Sequence, residues 1–364
     1  MKKNKHIPIR NIYYMLAYAF RAVRFGAWER AGAEPFENIQ ELLAAVLTEG
    51  LRVQLKQGLK RDYVLRREPL QRLRGRLYML EVIKERAGRQ GRLTCEFDDL
   101  SEDTPSNRLI KTAAALLANS GGVSPARREK LRRLLAYLSS VGKADPRCIL
   151  WKTVRAERCG SNYALLLAAA EFVLRELLRT ESGGRYRLAS FLDDLAMSRL
   201  YEKFILEYYR YHFPQLSARA EQISWALDDG MRDFLPVMQS DVLLRQREKV
   251  LVIDAKYYSH TMQDHHGVRS QHSHNLYQIF TYVKNMDYSF GERPHHVAGM
   301  LLYAGTDEAV QPDQVYQMHG NPITVKTLNL NRDFMQIARS LNEMAETYFD
   351  GAAAVGEIPG GAAV

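Results

Sequence analysis

The 364-residue chain has little of what many functional classes require. Its three cysteines, Cys95, Cys148 and Cys159, are odd in number and unpatterned. They form no disulfide framework, zinc knuckle or four-cysteine iron–sulfur set, and they fit a reducing, cytoplasmic setting. No run of about 18 apolar residues occurs, so a membrane span is not expected. The opening Met1-Lys2-Lys3-Asn4-Lys5-His6 is charged and lacks the apolar stretch of a secretion signal. No Gly-x-x-x-x-Gly-Lys-Ser/Thr loop is present, so the chain is not expected to hydrolyse a nucleotide itself. No internal repeat is visible.

What is present is an ordinary globular composition, 46% hydrophobic, in a chain long enough for two domains. The formal charge of +9 favours a polyanionic partner such as nucleic acid. The plainer alternative is an arginine-rich chain with solvated helical faces.

Residues 11–25 read as an aromatic-rich helix with Asn11 as a candidate N-cap, and 37–57 as a second helix. From Tyr63 to Phe97 the pattern becomes strand-like and basic, with a polar turn at 86–92. Helical spacing returns at 107–117, at 127–138 behind Ser124-Pro125, and at 163–178. The Gly-containing stretch 180–184 marks a boundary. The expected domains are therefore an α+β unit over 1–185, without a visible catalytic motif, and an α/β unit over 186–350. A long helix is expected to end near His212, with further helices near 273–286 and 331–349. The Gly/Ala-rich tail 351–364 reads as disordered.

The chemistry concentrates between Asp241 and Lys256. Asp241-Val-Leu-Leu precedes a four-residue polar turn, Gln246 to Lys249, and then Val250-Leu-Val-Ile-Asp254-Ala-Lys256. A hairpin brings the first acid beside the Asp-x-Lys at the end of the second strand. Alternation places Asp254 and Lys256 on one face while Ala255 turns into the core. Carboxylates at a strand edge can hold one or two Mg²⁺ ions (Mn²⁺ as a substitute), which activate water and absorb charge on the leaving oxygen. In that reading Asp241 bridges the metals, Asp254 is a direct ligand, the Ala255 carbonyl supplies a further oxygen, and Lys256 orients or helps deprotonate the water. Glu202, on the preceding helix, would reach the metal directly or through water. Gln278 and Tyr282, four apart on a later helix, would touch the Lys256 region or the DNA backbone. The alternative for the hairpin is a surface turn with an incidental salt bridge, and for Glu202, Gln278 and Tyr282 ordinary helical roles.

The histidines His260, His265, His266, His272 and His274 match no structural zinc spacing, and they read as a flexible, partly cationic loop beside the site. The Arg127–Arg133 run reads first as a solvated helical face, with DNA or partner contact as the alternative.

The segment Ser240-Asp241 through Ile253-Asp254-Ala255-Lys256-Tyr257-Tyr258 resembles the PD-(D/E)xK nuclease superfamily. With Ile7–Tyr18, Glu102–Lys111 and Leu200–Phe204, it is more closely similar to the McrC family, the nuclease subunit of McrBC-type modification-dependent restriction systems. Ser240 stands where that signature has a proline, which is not a ligand. The resemblance implies a restriction-endonuclease-like C-terminal domain that cuts modified DNA. It also implies an AAA+ GTPase partner of the McrB type that recognises modified cytosine. The N-terminal domain would dock on that partner and stimulate its GTPase, the basic stretch 73–85 being a candidate contact. Paired complexes would cut both strands. A stand-alone nuclease of the same fold and a non-catalytic activator are the competing readings.

Overall fold

The computed structural model describes residues 7–19, 36, 38–78, 92–149, 151, 161–180, 186–188, 194–257, 262–265, 268–271, 273–305 and 311–356. The chain divides into two compact units: residues 43–188 form one, and 1–42 with 189–364 form the other. The later boundary falls after Leu188, only three residues past a cut at 185; the division differs chiefly because the first 42 residues join the C-terminal unit. The reason lies in α1 (Ile9–Ala19). Asn11, the candidate N-cap, is instead inside this helix, and its buried amide donates to the Leu330 and Arg332 carbonyls at 2.7 and 2.8 Å.

The 43–188 unit takes most of α2 (Ile39–Gln57), then a three-stranded antiparallel sheet of β1 (Asp62–Leu70), β2 (Arg76–Leu77) and β3 (Leu93–Ser101), with β3 central. The expected turn at 86–92 lies outside the described residues except for Arg92. Helix α3 (Pro105–Ala118) starts where Thr104 accepts from the Asn107 N–H and Pro105 occupies the first turn. Helix α4 (Pro125–Ala136) follows. Helix α5 (Ser161–Phe172) runs into a π turn, Val173–Leu177, and then the pair β4 (Leu178–Thr180) and β5 (Tyr186–Leu188). Buried Asn107 ties the unit together: its amide donates to the Lys60 and Glu102 carbonyls, and its oxygen accepts from Tyr163. Gly50 permits α2 to meet α5, since a Cβ there would lie 2.6 Å from Leu166.

The other unit is built on α6 (Asp194–His212) and a mixed sheet. Short β6 (Gln222–Ile223) and β7 (Met238–Gln239) pair with each other. Then come β8 (Val242–Gln246), β9 (Lys249–Lys256), the hairpin β10 (Met262–His265) and β11 (Val268–Gln271), and α7 (Ser273–Tyr288). The chain closes with β12 (His296–Ala304), β13 (Gln314–Met318), β14 (Asn321–Leu328) and α8 (Phe334–Tyr348). The five-stranded sheet has the order β13-β14-β12-β9-β8, with β12 parallel to both β9 and β14 and the outer pairs antiparallel.

Burying β9 in the middle of this sheet requires apolar residues on both faces, and Val250 to Ala255 are all buried. Val250 and Val252 join Ile279, Tyr282 and Val283 of α7 in one core. Gly299 lets the helix approach β12, for a Cβ there would stand 2.8 Å from both Ile279 and Val283. Tyr208 and Tyr209 of α6 donate to the Ala338 and Leu341 carbonyls of α8, each at 3.0 Å.

Three further expectations are corrected. The β8–β9 turn is two residues, Arg247 and Glu248, because Gln246 and Lys249 already pair; Arg247 takes the left-handed conformation at φ 55°. The tail is ordered as far as Gly356, while 357–364 lie outside the described residues. Val355 donates to the His212 carbonyl at 2.7 Å, and the His212 ring Nδ1 donates to the Val355 carbonyl at 2.8 Å. The other ring nitrogen therefore accepts from Tyr18, 2.7 Å away. Burial holds this imidazole below its usual pKa. Where it is described, the histidine-rich stretch departs from a loop: Met262–His265 pairs with Val268–Gln271 and His274 lies in α7, while His260, His266 and His272 lie outside the described residues.

Candidate active site

Hairpin register sets the site. Val242 pairs with Ile253, so Asp241 falls opposite Asp254 at the end of the sheet where β9 finishes. Asp241 is held there by the backbone: its Oδ2 accepts from the Ala255 N–H at 2.9 Å. Ser240, at the signature's proline position, is itself fully buried. Its N–H and Oγ both donate to the Glu221 carbonyl at 3.0 Å, and its Oγ accepts from the Glu221 N–H at 3.2 Å. Proline offers no N–H donor, so serine here fastens the chain before β8 to the Glu221 backbone in a way that proline does not.

Asp254 is 1% exposed, a burial that carboxylates rarely tolerate without a partner. Its partner is Lys256, two residues on and so on the same face. Lys256 Nζ donates to Asp254 Oδ1 at 3.0 Å and lies 2.8 Å from Oδ2. Oδ2 is enclosed and receives no hydrogen bond of good geometry. The ammonium also donates to Gln278 Oε1 at 3.2 Å, and the Gln278 amide donates to the Tyr282 hydroxyl at 3.0 Å. Gln278 thus touches Lys256, and Tyr282 touches Gln278.

Glu202 of α6 completes the cluster. Burial raises its carboxyl above the usual range, opposed first by a 3.0 Å hydrogen bond from Ser198 and then by Lys256. Asp254 adds repulsion. Burial, with Asp254 and then Glu202 nearby, pushes Asp241 up to about 8. The seven residues expected at the site, Glu202, Asp241, Asp254, Ala255, Lys256, Gln278 and Tyr282, are therefore brought together. Ser198, one turn before Glu202, was not anticipated; the Ser-x-x-x-Glu spacing on one helical face was the available signal.

Among the described residues no three His, Cys, Asp or Glu side chains converge as a ready-made metal cage. Two carboxylates remain adjacent, one with an enclosed oxygen lacking a well-directed donor and the other destabilised as an anion. A divalent cation would relieve both. Mg²⁺ is commonly held by one or two carboxylates, with water and substrate phosphate completing its shell. The donor set fits that ion.

The family model for the McrBC 5-methylcytosine restriction system component matches residues 2–304. The chain belongs to the McrBC family. It is 28% identical over 346 residues to the Type IV methyl-directed restriction enzyme EcoKMcrBC of Escherichia coli strain K12, an alignment covering 94% of this chain and 98% of that one. Among solved structures it is similar to a refined half-complex from a tetradecameric assembly of Thermococcus gammatolerans McrB AAA+ hexamers with bound McrC. That match has a TM-score of 0.52 and 17% identity, covering 93% of this chain and 76% of that chain. A mixed α/β fold is thus shared between this McrBC family member and a McrBC assembly. As a restriction-system component, the chain has no helix among its described residues long and apolar enough to cross a membrane.

Proposed function

We propose that this chain is the DNA-cutting subunit of its McrBC system: a Mg²⁺-dependent endonuclease of the PD-(D/E)xK type, working on modified DNA with an AAA+ GTPase partner. The observation that carries the reading is Asp241 facing Asp254 across the hairpin, with Lys256 ion-paired on the same face. Asp241, Asp254 and the Ala255 carbonyl would hold one or two Mg²⁺ ions, with Glu202 joining directly or through water. Bound metal supplies a Lewis acid for the scissile phosphate and a water of lowered pKa. Lys256, itself steered by Gln278 and Tyr282, orients the attacking water and gives its charge to the phosphate. Burial around Asp254 keeps these interactions in a low dielectric, where they are strongest.

The similar structure of McrB AAA+ hexamers with bound McrC supports an AAA+ partner for this chain too, and we take that partner to be a GTPase. The N-terminal part, expected over 1–185, would dock on that partner and stimulate its GTPase. The 43–188 unit would carry the docking surface, with the basic stretch 73–85 in it. Paired complexes would cut both strands. The test is cleavage of methylated plasmid with Mg²⁺, GTP and the partner, each omitted in turn. Cutting that requires all three supports the division of labour; cutting without the partner makes this a stand-alone nuclease.

A further inference from the structure

Helix α4 (Pro125–Ala136) is long enough to pack like its neighbours, yet Leu131 is its one buried residue. The helix carries Arg127, Arg128, Lys130, Arg132 and Arg133 against a single acid, Glu129. A merely solvated helix usually interleaves the two signs. Helical spacing sends Lys130, Arg133 and Tyr137 away from Leu131, at i, i+3 and i+7. Lys130 and Arg133 are exposed, and Tyr137, just past the helix, is 70% exposed.

Within the helix a single acid faces this charge. Glu129 pairs with Arg133 at 3.2 Å, but the two side chains are 52% and 76% exposed, so the pair is weak and exchangeable. The acids that lead into α3 are engaged elsewhere: Glu102 accepts from Arg61, and Asp103 is held by a two-point contact with Arg108. Arg132 is fixed at one nitrogen, donating to the Ala118 carbonyl at 3.2 Å, while the residue remains exposed. A guanidinium immobilised this way loses less entropy on gripping a phosphate.

We propose that α4 is a duplex-DNA contact surface, in which Lys130, Arg132 and Arg133 neutralise backbone phosphates and the Tyr137 hydroxyl donates to another. The stripe from Lys130 to Tyr137 is about 10 Å long at 1.5 Å per residue. Duplex DNA carries a charge about every 1.7 Å of its axis, about six over that length, so the four contacts fit. Contacts of this kind hold DNA without reading sequence. The inference shares its substrate with the proposed nuclease, but none of its residues.

Fluorescence anisotropy of the full chain with a short labelled duplex, in EDTA and over a salt series, tests it. EDTA removes metal chemistry, so a failure of the nuclease reading leaves this readout intact. The Lys130→Gln/Arg133→Gln variant is expected to bind roughly tenfold more weakly, with a salt slope smaller by about 2. Lys130→Arg is expected to retain binding, which distinguishes lost charge from lost folding. Unchanged affinity and slope in the double variant would overturn the proposal. So would normal DNA binding combined with lost stimulation of a GTPase partner, which would make the surface a protein contact.

Discussion

Replacing Asp241 with Asn should make the metal-free protein more stable while abolishing cleavage. Asp241 is part-buried beside Asp254 and Glu202, and its carboxyl is pushed up to about 8. Its folded pKa is thus raised above the unfolded value near 4. Such a group contributes fully to stability below about pH 4, and that contribution is lost as pH rises towards 8. At about 1.4 kcal/mol per pH unit the whole span would reach about 5 kcal/mol. Water reaching the part-exposed carboxyl reduces this, and about 2–3 kcal/mol is a fair expectation. Asparagine retains an oxygen to accept from the Ala255 N–H, and it carries no charge. In EDTA at pH 8 the variant should melt about 5–10 °C above wild type, taking about 2–4 °C per kcal/mol for a unit of this size. The gap should shrink towards pH 5, and Mg²⁺ should stabilise wild type more than the variant. Scanning calorimetry across pH 5–8 measures this. A variant that melts at or below wild type at pH 8 would refute the claim that burial, with Asp254 and Glu202 nearby, disfavours the Asp241 anion.

Other substitutions probe the scaffold. Ser240→Ala should cost about 1–2 kcal/mol in denaturant unfolding through the lost hydroxyl bonds to Glu221. Ser240→Pro, despite matching the signature, should cost more by also removing the N–H donor. Gly299→Ala should destabilise by about 1–3 kcal/mol, since the new methyl meets Ile279 and Val283 at 2.8 Å. Asn11→Ala should cost about 1–3 kcal/mol, leaving the buried Leu330 carbonyl and the part-buried Arg332 carbonyl without their donor. Amide exchange should then rise first in α1. Gln278→Leu should lower kcat while leaving the melting temperature within about 1 °C, because Lys256 keeps its Asp254 partner.

The nuclease-like cluster was legible because it depends on short-range rules. Strand alternation pairs Asp254 with Lys256, a hairpin of known register returns Asp241 to them, and four-residue spacing aligns Gln278 with Tyr282. Two apolar faces on β9 followed by charge pointed to a site at the strand's end. What was not legible depends on contacts distant in sequence. The attachment of α1 to the C-terminal unit rests on Asn11 reaching Leu330 and Arg332, and an asparagine near a helix start reads locally as a cap. The order of the tail as far as Gly356 rests on His212, whose ring has no sequence signal for its partner at Val355. Ser240 matched nothing in the signature, because its value lies in the Glu221 backbone opposite it. The turn at Arg247 and Glu248 was read too long because arginine seldom adopts the left-handed conformation that closes it.

The most direct test of the central claim is cleavage of methylated plasmid by the reconstituted complex, comparing wild type with Asp254→Ala. The expected result is double-strand cutting by wild type with Mg²⁺ and no detectable cutting by the variant, while both stimulate the partner's GTPase equally. Restriction by the Asp254→Ala protein at the wild-type rate would contradict the account, because the carboxylate that the hairpin buries beside Lys256 would then have no part in the chemistry.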